Sequence, residues 1–282
     1  MHKLLQLFIL FCMPLLVWAQ PLVQLQGPLV QGGMVVGQAP SGSQITLDKA
    51  NIEQTENGLF VFGFDRDAAP TMQLSVVTAE GEQWQKTLEI KPREYRIQRI
   101  EGIKPSIVSS DKTEAEWQRI REESQLTRDA RKQRLELTAF AQEFKWPVIG
   151  RISGVFGSQR VYNGKPGRPH YGVDVAMPTG TPVYAPADGV VTLAHDDMYY
   201  SGGTLIVDHG YGVSSSFLHL SKVEVEVGAE VKQGDLIALV GAGGQATGPH
   251  LDWRMNWYGQ RIDPQLLVPD MQTLLQQQEQ KK

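Results

Sequence analysis

Short β-rich runs separated by turn residues cover most of this 282-residue chain, and they constrain its fold more than any other feature. Between residues 21 and 102, runs such as LFVFGF and MQLSVV recur about every ten residues, with Gly, Pro, Asn and Asp between them. This rhythm predicts an immunoglobulin-like β-sandwich. Residues 146–269 are again β-rich, with many glycines and prolines, and predict a compact antiparallel β domain. The predicted fold class is therefore mainly β.

The stretch between these two units differs in composition. Residues 110–145 are rich in Glu, Arg, Lys and Gln, with apolar residues at intervals. They predict a helical linker, as one helix or two, capped at Ser110 or Asp111 and ended by Pro147. Its charged face is expected to be solvated, with a partner-binding arm or a lid as the alternative. Residues 270–282 are expected to form a flexible tail or a frayed helix.

The N-terminus has the features of a secretory signal peptide over residues 1–19. A basic start precedes an apolar run, which ends in Val17-Trp18-Ala19 as a cleavage site. The run is short for a membrane span, so we expect cleavage rather than a permanent membrane anchor, and a periplasmic location. Cys12 is the only cysteine, which excludes a disulfide from the mature chain. A net charge of −4 argues against nucleic acid as a partner.

Histidines point to chemistry in the second β unit. Five of the six lie there, at positions 170, 195, 209, 219 and 250. His170 and Asp174 would share one face of an extended segment, with Gly172 leaving room above it for an ion, and His250 and Asp252 would share a strand face in the same way. Taken alone, the first pair is explained as well by a surface histidine and a turn aspartate. Together these residues supply the imidazole and carboxylate groups that zinc accepts.

At these residues the sequence resembles the M23, or lysostaphin-like, zinc peptidases of peptidoglycan. The resemblance spans Phe156 to Leu267 and is carried by FGSQR, RPHYGVDVAMPTGTPVYAPADGVV, GGTLIVDHGYG, FLHLS, VKQGDLIALVGAGGQATGPHL and RIDPQLL. It implies a lysostaphin-like peptidase domain over residues 146–269. It also implies an enzyme that cleaves peptide crosslinks of peptidoglycan by metal-activated water.

The resemblance assigns roles residue by residue. His170 and Asp174 match the two zinc ligands of the family's His-x-x-x-Asp motif. His219, in FLHLS, and His250, the first position of the family's His-x-His motif, match histidines that act in catalysis. Glycine-rich loops near residues 201–203 and 241–244 are expected to form the walls of an open cleft.

Asp252 departs from the family pattern, which has a second histidine, its third zinc ligand, at this position. Aspartate is itself a zinc ligand, so we expect His170, Asp174 and Asp252 to hold Zn²⁺. The charge of the site changes, however. With zinc, a His-Asp-Asp site is neutral where a His-Asp-His site keeps one positive charge, so a water bound there should be a weaker acid. We therefore expect an active enzyme with altered metal preference or pH optimum.

Two other functions are considered. A decayed metal site would leave a regulator that binds peptidoglycan or activates a cell-wall amidase, with a cell-wall regulatory protein as partner. A biotinyl or lipoyl carrier is suggested by APADGVV and VGAEVKQGDLIALVG, but the candidate lysine, in LDKA at residues 47–50, lies in the wrong unit. His209 is expected to be structural, and His195 to lie in a solvated loop. Tyr199 and Tyr200 are candidates for the groove wall.

Overall fold

The structure, a computed structural model, describes residues 21–102 and 112–280, so the proposed signal peptide lies outside the described residues. As predicted, the fold is mainly β with antiparallel sheets. The helices are α1 (Glu114–Lys132) and α2 (Met271–Glu279). The strands are β1 (Gln24–Gln26), β2 (Met34–Gln38), β3 (Gln44–Leu47), β4 (Ala50–Ile52), β5 (Leu59–Gly63), β6 (Thr71–Val77), β7 (Gln83–Glu89), β8 (Ile97–Ile100), β9 (Arg151–Gly154), β10 (Gln159–Tyr162), β11 (Lys165–Pro166), β12 (Val173–Ala176), β13 (Pro182–Tyr184), β14 (Gly189–Met198), β15 (Gly202–Gly210), β16 (Val213–Val223), β17 (Glu230–Val231), β18 (Leu236–Val240), β19 (Leu251–Trp257) and β20 (Gln260–Ile262).

The N-terminal strands form two antiparallel sheets, in the orders β1-β2-β5 and β4-β3-β6-β7. Leu74 and Val76 alternate with less buried residues on β6, whereas β5 is buried along most of its length, including Phe60 and Phe62. These side chains belong to one core. The immunoglobulin-like character of this unit remains a prediction.

The C-terminal half is built around one large sheet whose main path runs β17-β14-β15-β16-β19-β12-β9. Every residue of β15 is buried, because the strand is covered on both faces. Phe217 on β16 pairs with Trp253 on β19, and both are fully buried. This pair belongs to the face of the sheet that packs into the core. The opposite face of β19 is therefore available for polar side chains.

The linker helix differs from its prediction at both ends. Thr113 caps α1 with a capping box, in which its side chain accepts from the Glu116 amide and Glu116 accepts from the Thr113 amide. The proposed caps Ser110 and Asp111 lie outside the described residues. The helix ends at Lys132, well before Pro147, because Gln133 is extended and the chain turns to pack along the β15–β16 connection.

Most charged side chains of α1 are exposed, as expected, but one face of the helix also contacts the second β unit. Arg119 forms an ion pair with Asp197 at 3.1 Å, and the Tyr199 hydroxyl donates to Glu116 at 3.0 Å. Both partners lie at the end of β14 or just after it. The C-terminal residues were predicted to form a flexible tail or a frayed helix, and the structure shows a helix. They form α2, capped by Asp270, because the side chain of Met271 is buried in the core.

The two β units are joined by more than the linker. The predicted N-terminal unit included β8, but β8 leaves the two N-terminal sheets and pairs in parallel with β10. Arg93, a few residues earlier, forms a 2.8 Å ion pair with the buried Asp263. A side chain at Gly63 would collide with Ile262, so the strands β5 and β20 pack closely there.

Neither helix within the described ranges has the length and hydrophobicity that a membrane span requires.

Two buried ionisable groups lie next to each other on β15. Burial lowers the pKa of His209 to about 4, so its ring is neutral near pH 7. Its Nδ1 donates to the Asp188 carbonyl at 2.7 Å, and its Nε2 lies 2.7 Å from Ser215 Oγ, which gives it a structural role. Burial raises the pKa of Asp208 to about 6, although the Gly210 amide donates to its carboxylate at 2.6 Å.

The raised pKa of Asp208 predicts a pH-dependent effect of Asp208→Asn. A carboxyl that binds its proton more tightly in the folded state stabilises the fold below its unfolded pKa, and this contribution is lost as the pH rises through about 6. The neutral amide avoids that loss. We expect Asp208→Asn to raise the free energy of unfolding by about 1–3 kcal/mol at pH 7.5 and not at pH 4. Urea unfolding at both pH values measures it, and an equal effect at both would contradict the assignment.

Candidate metal centre and active site

The register between β12 and β19 places two carboxylates side by side. Asp174 lies directly opposite Asp252 in this antiparallel pair. Residues opposite each other in a ladder share a face of the sheet, so both side chains emerge on the face away from Trp253. Gly154, opposite Asp174 on β9, leaves space for its carboxylate, since a Cβ there would lie 2.1 Å from Asp174 Oδ2.

His170 reaches the two carboxylates from outside the sheet. It precedes β12 rather than extending it, which differs from the predicted continuous strand. Its amide donates to the Ser158 carbonyl, and its carbonyl accepts from the Gly157 amide, both at 2.8 Å. The imidazole Nε2 then lies 3.1 Å from Asp174 Oδ1 and 3.5 Å from Asp252 Oδ2.

These three side chains fit a metal ion. One ligand atom from each of His170, Asp174 and Asp252 can be chosen so that all lie within 4.8 Å of one another. Within the described residues, His170 Nε2 and Asp174 Oδ1 are buried, and although they lie 3.1 Å apart, neither makes a well-formed hydrogen bond with the other or with any other group. Buried polar atoms left in this way are costly unless something binds them. Imidazole and carboxylate are ligands that zinc accepts, and an ion between these atoms would satisfy both.

Gly172 serves a different purpose from the one expected. The sequence suggested that it leaves room for an ion. In the structure a Cβ at Gly172 would lie 2.5 Å from Asp252 Oδ1 and 2.6 Å from Arg254 Cγ. The space above this glycine is therefore occupied by the two side chains that follow each other on one face of β19.

Arg254 is the site residue that sequence reasoning missed. Its Nε donates to both carboxylate oxygens of Asp252 at 3.0 Å, and its Nη2 donates to Oδ2 at 2.5 Å. The sequence did contain a signal for Arg254, because every second residue of a strand points to the same face, which groups residues 250, 252 and 254. Each carboxylate oxygen has two lone pairs, so Asp252 can accept from Arg254 and still bind a metal.

Arg254 changes the charge that was expected of the site. A divalent ion with Asp174 and Asp252 is neutral, but the guanidinium beside Asp252 restores one positive charge. That is the charge of the family's His-Asp-His arrangement. If a zinc ion were bound, this guanidinium would offset the loss of acidity that the sequence predicts for its water.

Neighbouring charges shift the pKa values of His170 and Asp252. Burial alone would lower the pKa of His170, but Asp174 and Asp252 outweigh it and raise this pKa to about 10. Burial would raise the pKa of Asp252, yet the Arg254 guanidinium and His170 hold it well below its usual range. Asp252 is therefore ionised at neutral pH, as a metal ligand must be.

His219 is aimed at the site by a β-bulge. Regular alternation along β16 would place it on the core face with Phe217. The pairing of β16 with β15 shifts between Leu205 and Gly203, and His219 adopts a left-handed backbone with φ of 64°. Its Nδ1 donates to the Gly243 carbonyl at 2.9 Å, which leaves Nε2 for chemistry. Burial lowers the pKa of His219, so the ring is neutral near pH 7.

His250 lies beside His219, with ring centroids 4.8 Å apart. Its Nδ1 donates to the Gly248 carbonyl at 2.7 Å, and its Nε2 lies 3.8 Å from Asp174 Oδ1. Both histidines therefore carry the same tautomer, with Nδ1 protonated and Nε2 able to accept a proton.

One cavity of about 660 Å³ is lined by all five predicted site residues. Its walls differ from those expected. The loop of residues 241–244 supports His219 from behind, whereas Gln245, Ala246 and Thr247 line the cavity.

The remaining predicted candidates lie elsewhere. His195 lies within β14 rather than in a loop, and Tyr199 packs against α1. Neither these residues nor Tyr200 is among the side chains that line the described cavity.

Comparison with known proteins assigns this site to a family. Residues 168–264 match the sequence profile of Peptidase family M23. The chain contains a peptidase M23 domain. The peptidoglycan DD-endopeptidase ShyA of Vibrio cholerae is 39% identical over 120 residues, which are 42% of this chain and 27% of that protein. The DD-carboxypeptidase/endopeptidase Mpg of Neisseria meningitidis is 38% identical over 117 residues, again 42% of this chain and 27% of that protein.

The likeness to a solved structure extends beyond the M23 domain. A Pseudomonas aeruginosa protein described as an M23 peptidase has 28% sequence identity and a TM-score of 0.65, covering 84% of this chain and 94% of that one. In contrast, this chain spans only about a quarter of the length of the curated relatives that it matches.

Asp252 and Arg254 are predicted to act as a unit, which a double-mutant cycle tests. Asp252→His alone leaves the guanidinium without its carboxylate beside the metal, and Arg254→Gln alone removes the group that neutralises Asp252. Each should weaken zinc binding about 10- to 100-fold. The double variant restores the charge of the family site and should bind zinc more tightly than the two single effects combined predict.

Chelator competition gives the zinc dissociation constants of all four proteins. Urea unfolding of the metal-free proteins shows whether a variant is merely destabilised. A coupling energy of at least about 1 kcal/mol is expected for two groups in contact. Additive effects would show that Arg254 does not support Asp252.

Proposed function

We propose that the protein is a zinc-dependent endopeptidase that is exported to the periplasm and cleaves peptide crosslinks of peptidoglycan. One observation supports the proposal: three residues that could hold a metal ion line the same cavity of an M23 domain as His219 and His250. Two of its relatives are named for endopeptidase activity, and the V. cholerae relative is named for peptidoglycan as substrate. Residues 168–264, which match the family profile, include all five residues of the proposed site.

His170, Asp174 and Asp252 are the proposed zinc ligands. A zinc ion held there would polarise the scissile carbonyl and make a water molecule a better nucleophile. Three protein ligands leave a position open, as catalytic zinc sites require. Arg254 holds the Asp252 carboxylate in place through both oxygens. Asp252 therefore needs little reorganisation to act as a ligand.

His219 and His250 are the proposed proton-transfer groups. Each has its Nδ1 proton fixed on a backbone carbonyl, so each presents Nε2 to the cavity. A neutral imidazole can take a proton from the attacking water at Nε2 and pass it to the leaving amine. Once protonated, the same nitrogen can donate a hydrogen bond to the tetrahedral oxyanion. The short distance between the two rings allows them to share these roles.

Replacing His219 by Ala should separate catalysis from metal binding. The variant keeps all three proposed ligands, so its zinc content should match that of the parent. Hydrolysis should fall by about 10²–10⁴-fold, which is the range for loss of a general acid–base group. The assay is mass spectrometry of crosslinked peptidoglycan fragments, which reports both the conversion of dimers to monomers and the bond that is cut.

The assay uses the chain from residue 21 onward, because the N-terminal half shares a core with the M23 domain and adds a strand beside it. His195→Ala is the matched control, since it removes a histidine of the same domain that does not line the cavity. It should retain full activity. Intact dimers with the zinc-loaded parent protein, with or without a chelator, would contradict the proposed function.

A further inference from the structure

The N-terminal half supplies one wall of the cavity through β8. The parallel pairing with β10 is fixed by hydrogen bonds from Gln159 N to Arg96 O at 3.0 Å and from Asn163 N to Ile100 O at 2.9 Å. A strand that lies outside the matched M23 residues therefore extends the surface beside the site. Arg96 and Gln98, two residues apart, both line the cavity. Arg99, between Gln98 and Ile100, is not among the lining residues.

The position of Arg96 is held by its neighbour Tyr95. The guanidinium of Arg66 lies 4.3 Å from the centroid of the Tyr95 ring, and the Phe156 ring packs edge-on at 6.3 Å. The Tyr95 hydroxyl also donates to the Arg66 carbonyl at 3.1 Å. Gly157 allows this contact, because a Cβ there would lie 2.0 Å from the ring. Arg96 is therefore presented from a packed support rather than from a loose loop.

Three arginines around the cavity have no carboxylate of their own. Arg96, Arg160 and Arg168 line it, and within the described residues none of them forms an ion pair. In the same described part of the chain, the acidic residues that line the cavity are Asp174 and Asp252. Both belong to the proposed metal centre, and Asp252 is also paired with Arg254. The wall beside the metal centre is thus positively charged and lacks neutralising partners.

We infer that this arginine wall, formed by Arg96, the residue before β8, with Arg160 and Arg168, binds free carboxylates of an acidic peptide substrate. This inference rests on the proposed function, which it deepens by naming the substrate class. A guanidinium presents a planar set of donors that matches a carboxylate and can form two parallel hydrogen bonds. The guanidinium groups of this wall, beside the proposed proton-transfer histidines, would determine which part of an extended peptide lies over the metal centre. Arg96 is a specificity determinant contributed from outside the matched M23 residues.

Binding is measured separately from hydrolysis, on the full chain from residue 21 with His219→Ala to prevent turnover. The probes are two fluorescent peptides of identical sequence, a crosslinked stem-peptide fragment with free carboxylates and the same fragment with these carboxylates amidated. Fluorescence polarisation should show tighter binding of the acidic probe. Arg96→Gln should weaken binding of the acidic probe by about three- to tenfold and leave binding of the amidated probe unchanged.

Arg99→Gln is the matched control, because it removes the same charge three residues further along the same segment, at a position that does not line the cavity. It should change neither affinity. If net charge alone mattered, Arg96→Gln and Arg99→Gln would lower the affinity for the acidic probe equally. This result would overturn the inference. The inference would also be overturned if the His219→Ala parent bound the two probes with equal affinity. This comparison needs no second substitution, so it does not depend on whether Arg96→Gln folds.

Failure of the inference and failure of the proposed function can be told apart. If the parent enzyme cleaves crosslinks but does not distinguish the two probes, only the arginine wall is refuted. If no crosslink is cleaved but Arg96-dependent binding of the acidic probe persists, the binding wall stands and the hydrolytic function is refuted.

Discussion

The register between β12 and β19 is the constraint on which the rest of the site depends. It sets Asp174 opposite Asp252, and a shift of one residue would move one of them to the core face. The core side of the same two strands holds this register. Val173 pairs with Trp253 and Val175 pairs with Leu251, and all four side chains are fully buried. Packing energy on one face of the sheet thus determines where ionised groups lie on the other.

The pair formed by Asp252 and Arg254 shows how a change of ligand can be accommodated. A carboxylate in place of an imidazole lowers the charge of a metal site by one unit. The guanidinium of Arg254, two residues along the same face of the strand, restores that positive charge. The same contact keeps a buried carboxylate ionised and oriented, which an isolated one would not be. The proposed ligand Asp252 is therefore best considered together with Arg254, its ion-pair partner.

The sequence allowed the mainly β class and the grouping of the site residues to be predicted, because period-two alternation places His250 and Asp252 on one face without tertiary information. The same alternation assigns His219 to the wrong face, since a bulge with a positive φ carries only a weak sequence signal. The parallel pairing of β8 with β10 was also missed, because contacts between distant segments leave no local pattern. Helix α1 ends before Pro147 since tertiary packing, rather than a breaker residue, determines its end. Arg254 followed the same period as the predicted residues and was overlooked because arginine is not a metal ligand.

We propose that His170, Asp174 and Asp252 together hold a metal ion while Arg254 supports Asp252. A crystal structure of the zinc-loaded protein, with anomalous diffraction at the zinc edge, would test this arrangement. We expect one peak about 2.0–2.2 Å from His170 Nε2 and from one carboxylate oxygen of each aspartate, with Arg254 still bonded to Asp252. A peak elsewhere, or no peak with Arg254 bound to both oxygens of Asp252, would contradict it.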